Sequence, residues 1–222
     1  MLQPIKLSSK RSDLCELFAN HGSKSVPYFK YITQNFKTLQ ASDVGDIAYF
    51  LCVLHGSYPG VVDYTSDKVA NEDTHTWLVN AMNGFSAERS FLTKLTVAAG
   101  PITGVGQYDQ SEVTVHNQRK ALQILSQSDR GGCAIGASIA VILDWHSIRP
   151  VLDSIALKLG IKPQSLLLPS IEKTQELYDF LISSALIKRA TNFGIDQILS
   201  QHRGLWELLE ARHNTRESNS RL

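Results

Sequence analysis

Punctuation is the strongest constraint on this chain. Glycines, prolines and Ser/Asp cap residues cut its 222 residues into stretches of helical length, and few stretches alternate apolar and polar residues with the β-branched enrichment that a strand needs. The pattern predicts an all-α fold, a single-domain multi-helix bundle over residues 1–222 with 1–11 and 214–222 as flexible ends. "SDLCELFANHG" reads as a helix capped by Ser12 and stopped at Gly22, and "SVPYFKYITQNFKTLQ" as one with Pro27 in its first turn. "SDVGDIAYFLCVLHG" runs from a Ser42 or Asp43 cap to Gly56 and is apolar enough to be buried. After the loop-like "SYPGVVDYTSDKVANED" a long helix extends from about Asp73 to Ala99, stopped by Gly100-Pro101.

Beyond the glycine-rich link "GPITGVGQYDQ", Ser111 caps another helix, and "DRGG" separates it from "CAIGASIAVILDWH". In that segment Gly136, Ala137 and Ala140 have small side chains that let a neighbouring helix come close, so it is the expected hub. Pro150 implies a new helix at Ser147 or a kink there, although Trp145, Ile148, Leu152, Ile155 and Leu159 continue one stripe. Ser170 caps a helix expected to end near Gly194, and a last one spans about 195–213 before a fraying tail.

Lys+Arg 22 against Asp+Glu 21 leaves a formal charge of +1, which recommends neither nucleic acid nor an anionic membrane as partner. Arg212, Arg216 and Arg221 cluster near the end, where solvation is the expected state. The longest apolar run, "CAIGASIAVIL", has 11 residues against the roughly 20 that span a bilayer, and the start has no secretory pattern. Cys15, Cys52 and Cys133 show neither a C-x-x-C motif nor a metal spacing, which favours reduced thiols and a cytoplasmic location.

Glu88, in "GFSAERSFLTKL", is the most informative polar residue. At about 100° per residue it shares a helix face with Trp77, Ala81, Phe85, Leu92, Leu95 and Ala99. An unpaired buried carboxylate costs several kcal/mol, so Glu88 needs a cationic partner or a proton. Two readings follow: a structural ion pair with an arginine, or a site carboxylate acting as acid/base or ligand.

Among the seven histidines, His21 and His55 each precede a glycine at a helix end. Capping suits His21, whereas His55 ends the buried helix beside the loop containing Asp63 and can face an interior pocket. Asp144 and His146 end the hub segment, and His116 is a further candidate. His75 lies thirteen residues from Glu88, almost 20 Å along a helix, too far to share a metal. Glu210 and His213 have the Glu-x-x-His spacing of carboxylate-bridged metal bundles, but only one copy occurs and a solvated face is the better reading. The amides that follow Asp129-Arg130-Gly131-Gly132 could hold an anion, though an ordinary interhelical turn is the simpler reading. No nucleophile elbow, P-loop or H-E-x-x-H motif occurs.

The blocks "HGSYPGVVDY", "GFSAERSFLTKLTVAAGP" and "SQSDRGGCAIGASIAVILDWHSIRPVLD" resemble a family of bacterial proteins known only as a domain of unknown function, over residues 50–160. The resemblance implies a bacterial origin and brings no activity. The helix order is also similar to the heme-oxygenase-like architecture, a likeness of fold that does not fix function.

The sequence thus leads to two expectations. The first is an interior polar pocket that binds a small molecule or metal, with Glu88 as the catalytic or ligating carboxylate if the chain is an enzyme, and His55, Asp63, Asp144, His146 and His116 as ligand contacts. The cofactor, if there is one, is unknown. The second is a non-catalytic interaction or homodimeric module that presents Leu205, Trp206 and Leu209 to a partner.

Overall fold

The computed structural model describes residues 8–65, 71–102, 110–182 and 184–219, with side chains from residue 14 onward. Nine α-helices and no strand occur among them: α1 (Ser8–His21), α2 (Pro27–Asn35), α3 (Ala41–His55), α4 (Val61–Thr65), α5 (Glu72–Ala99), α6 (Gln110–Ser126), α7 (Cys133–Lys158), α8 (Ile171–Leu181) and α9 (Ala185–Asn219). Their ends follow local chemistry. Asn71 caps α5 by accepting from the Thr74 N–H, Ser170 caps α8 by accepting from that of Lys173, and Gly100 ends α5 at φ 76°.

Several boundaries differ from the sequence reading. Asp43 and Ser111 lie one or two residues inside their helices because their side chains are drawn into tertiary contacts. The stretch after Gly56 contains the short α4, while most of "TGVGQYDQ" falls outside the described residues. Pro150 neither starts a helix nor interrupts α7. It lies on the exposed face, while Ile148, Val151, Leu152 and Ile155 hold the buried stripe.

α7 is the hub, and its backbone meets that of α9 closely. A methyl group on Gly136 would lie 2.2 Å from the Thr191 carbonyl oxygen, and one on Gly194 would lie 2.1 Å from that of Cys133. Gly194 is therefore a packing residue inside one continuous α9, not the stop it resembles in sequence. Around this crossing one core joins α2, α3, α5, α6, α7, α8 and α9, with Ile47, Leu92, Ile139, Trp145, Ile198 and Trp206 almost wholly buried. Each fully buried large apolar side chain contributes about 1.5–3 kcal/mol. α7 is long and apolar enough to cross a membrane by composition, but it is mostly buried inside the protein.

The last turns of α9 are ordered by charge. Asp46, 1% exposed, accepts from Arg212 Nε at 2.7 Å and Nη2 at 3.2 Å and from Arg216 Nη1 at 2.6 Å. Asp43 accepts from Arg216 Nη2 at 2.5 Å and pairs with His213 Nδ1 at 3.1 Å. Residues 214–219, expected to fray, thus continue the helix because two buried carboxylates need its cations. The same carboxylates, after burial itself, help to raise the Tyr28 hydroxyl pKa above the ordinary tyrosine range.

Candidate functional site

A ladder of buried polar groups crosses the core between α3 and the turn after α1. Trp206 Nε1 donates to Ser23 Oγ at 2.8 Å, and Ser23 Oγ donates to Asp144 Oδ2 at 2.5 Å. The Ser23 amide donates to Asp144 Oδ1 at 2.9 Å. Asp144 Oδ2 also meets His202 Nδ1 at 2.6 Å, and His202 Nε2 meets His55 Nε2 at 2.9 Å. All five residues are at most 5% exposed.

Hydrogen-bond logic constrains the protons. Asp144 is an acceptor when ionised, so His202 Nδ1 carries a hydrogen, and the two facing Nε2 atoms share one more. The His55 ring is wedged edge-on between Phe85 and Trp145, at centroid separations of 6.0 and 5.5 Å. Burial first, then the neighbouring His202 and Arg89, push its pKa well below the usual histidine range, so the His55 ring stays neutral. With Nε2 engaged, Nδ1 has no partner among the described residues.

His55 lines a cavity of about 170 Å³ together with Leu54, Tyr58, Phe85, Arg119 and Val141, among others. The volume is close to that of a known 150 Å³ protein cavity that accepts benzene, so there is room for one small ring or a compact acid. The mouth is shaped by the Ser57–Gly60 turn. Asp63 holds that turn by accepting from the Gly60 N–H at 2.7 Å, and it is itself ion-paired to Arg89. Arg89 also lies over the rings of Tyr58 and Phe85 at 5.5 and 5.3 Å. Thr65 bonds Ser138 at 2.9 Å, fastening α4 to α7. Arg119, which also lines the cavity, is exposed and makes no hydrogen bond or ion pair among the described residues.

The residues singled out in the sequence are distributed unevenly about this cavity. His55 lines it, Asp63 braces its mouth, and Asp144 reaches it through His202. Glu88 does not line it: its carboxylate accepts from Arg149 Nη1 at 2.5 Å and from Trp145 Nε1 at 2.9 Å. Arg149 in turn lies 4.5 Å from the Phe91 ring centroid and donates to Asp153 and the Gln164 carbonyl. Burial, outweighing the Trp145 and Arg149 hydrogen bonds, raises the Glu88 pKa above the ordinary carboxylate range. Of the two readings of Glu88, the structure displays the ion pair.

His146 bonds the Pro169 carbonyl oxygen, and His116 lies on the surface of α6, 3.9 Å from Glu112. Neither lines the cavity. His21, read as a cap, instead accepts from Arg203. Among the described residues no three His, Cys, Asp or Glu side chains are grouped to hold a metal ion. Leu205, Trp206 and Leu209, read as a docking stripe, are buried in the core and present nothing to a partner.

His202 and Arg119 are the contributors that the sequence reading passed over. His202 was legible in principle, because it lies on the apolar stripe of Ile195, Ile198, Leu199, Leu205 and Leu209 at helical spacing. A histidine in such a stripe needs an internal partner, just as Glu88 does.

A protein-family model matches the chain over residues 18–217. The chain belongs to a family of unknown function, DUF6975. The match extends well beyond residues 50–160, which carry the resemblance seen in the sequence. No curated protein and no solved structure matches the chain. The all-α architecture rests on the helices themselves, and no solved structure confirms the heme-oxygenase-like likeness.

Proposed function

We propose that this protein binds a small organic anion in the cavity beside His55. The observation that carries the reading is the His55 ring, neutral and pinned, with a nitrogen that has no partner among the described residues, in a residue that lines a cavity together with the exposed Arg119. A carboxylate at Arg119 gains a charge-assisted hydrogen bond, and a donor or ring on the same ligand meets Nδ1 and the aromatic wall of Phe85 and Tyr58. The Arg89–Asp63 pair balances its own charge, so the excess positive charge at the rim comes from Arg119.

The reading is tested by titrating ¹⁵N-histidine-labelled protein with acetate, benzoate, imidazole-4-carboxylate and inorganic phosphate. Saturable shifts of the His55 nitrogens with at least one carboxylate are expected, unchanged in Glu88→Gln because Glu88 serves the core. His55 signals that ignore every probe overturn the reading, and a ligand response lost in Glu88→Gln moves the site to Glu88.

A further inference from the structure

We infer that His55 is a proton acceptor for the bound ligand, with His202 and Asp144 as positioning residues that take up the resulting positive charge; this rests on the small-anion reading of the cavity. The ladder Asp144–His202–His55 has one property that a purely structural network lacks. Its heavy atoms fit two proton inventories that differ by a single proton, and of its three residues only the last, His55, lines the cavity.

In the first inventory His202 Nδ1–H donates to Asp144, His55 Nε2–H donates to His202 Nε2, and His55 Nδ1 is bare. In the second, His202 carries hydrogens on both nitrogens and is cationic beside the Asp144 carboxylate, while its Nε2–H donates to His55 Nε2 and His55 carries its hydrogen on Nδ1. The step between them balances without any other reactant. A ligand O–H, N–H or acidic C–H bond breaks and leaves its electron pair on the ligand. The proton joins the Nδ1 lone pair, and the Nε2 proton of His55 passes to His202 Nε2 along the 2.9 Å hydrogen bond between the two nitrogens.

The hydrogen bond between the two rings reverses direction and no heavy atom has to move. His55 is neutral before and after, which suits its buried ring. The charge comes to rest on His202, 2.6 Å from Asp144 Oδ2, on a carboxylate oriented by the Ser23 amide and hydroxyl. A histidine oriented by a buried aspartate is a recurrent device for such transfers. The other charged groups facing His55 are Arg89 from α5, paired with Asp63 of α4, and Arg119 from α6, which draws the anionic ligand rather than the proton.

The experiment combines histidine ¹⁵N spectra with diethyl pyrocarbonate labelling of the full chain, using peptide mass spectrometry as the readout. The reagent reports on a bare nitrogen: Nδ1 attacks its carbonyl carbon, the bond to the ethyl carbonate leaving group breaks, and the Nε2 proton departs toward His202. In the wild-type protein near pH 7, spectra showing His55 protonated on Nε2 and bare on Nδ1 are expected, with labelling at His55 and none at His202.

Asp144→Asn should turn the ladder over. The new amide donates to His202 Nδ1, His202 Nε2–H donates to His55, and His55 is left with its hydrogen on Nδ1. Labelling at His55 then falls on the order of 10²-fold, the lower end of what a correctly protonated base contributes. Equal labelling in the two proteins, or a wild-type His55 already protonated on Nδ1, overturns the relay while leaving ligand binding intact. A wild-type His55 that resists the reagent and ignores every carboxylate overturns the cavity reading itself. Should Asp144→Asn not fold, the wild-type tautomer spectra alone decide.

Discussion

At its N-terminal end α3 offers Asp43 and Asp46 to Arg212, Arg216 and His213 of α9, whereas at its C-terminal end it offers His55 to His202 of the same helix. The first junction is ionic. Its carboxylates are 1% exposed and its two guanidinium groups supply more donors than the carboxylates use. The second is a chain of single hydrogen bonds that ends at an imidazole nitrogen with no partner among the described residues. Redundant cations make a clamp that is costly to break and has little freedom to exchange protons. A ladder with one shared proton between its rings contributes less to stability and leaves chemistry available at its end.

Breaking the clamp should have the largest effect. Asp46→Ala removes the buried carboxylate shared by Arg212 and Arg216, leaving Arg216 to Asp43, and is expected to cost about 3–5 kcal/mol, read from the urea midpoint at constant slope. The same measurement on His55→Leu should give about 1–2 kcal/mol, from leaving His202 Nε2 unpaired. If the ladder variant proves the costlier, the clamp and the ladder have been assigned the wrong way round.

Acid should separate the two junctions next. His55 has a folded-state pKa depressed well below the unfolded value near 6.5, so below that pH the unfolded chain binds a proton that the folded ring refuses. Its contribution is present above the unfolded pKa and is lost as pH falls, at a slope of about 1.4 kcal/mol per pH unit. Between pH 6.5 and 5.5 wild-type stability should drop accordingly, and His55→Leu should flatten that limb while Asp46→Ala keeps it. A wild-type limb that is already flat would sink the buried neutral ring.

The smallest effect on stability is expected at the rim. Arg119→Ala removes an exposed side chain and should change the unfolding free energy by less than about 0.5 kcal/mol. It should nevertheless weaken carboxylate binding about tenfold in the His55 titration. Unchanged affinity would mean that the anion is held elsewhere in the cavity.

How much of this was legible depends on whether the cue is local. Asn71 and Ser170 announce their helices because a cap is a contact across three residues. Glu88 announces a partner because its neighbours on one helix face are apolar, but which arginine answers is decided by Arg149, 61 residues away. Gly194 carries the opposite lesson. A glycine that ends a helix and one that lets a second helix approach look alike in sequence, and only the Cys133 carbonyl oxygen in the space beside it tells them apart. Arg212 and Arg216 read as a solvated tail for the same reason: nothing near them in the chain shows that Asp43 and Asp46 will be buried without other cations.

The sequence by itself determined the all-α class, the hub segment with its small residues, and the short set of polar residues that an apolar helix face would force to find partners. These follow from period and composition, which act over a few turns. The tertiary structure alone decided that His55 meets His202 rather than Glu88, that Asp144 stands behind them, and that His55 lines a cavity. Those outcomes depend on where α3, α7 and α9 cross, and a helix crossing is set by the shapes of facing side chains far apart in the chain.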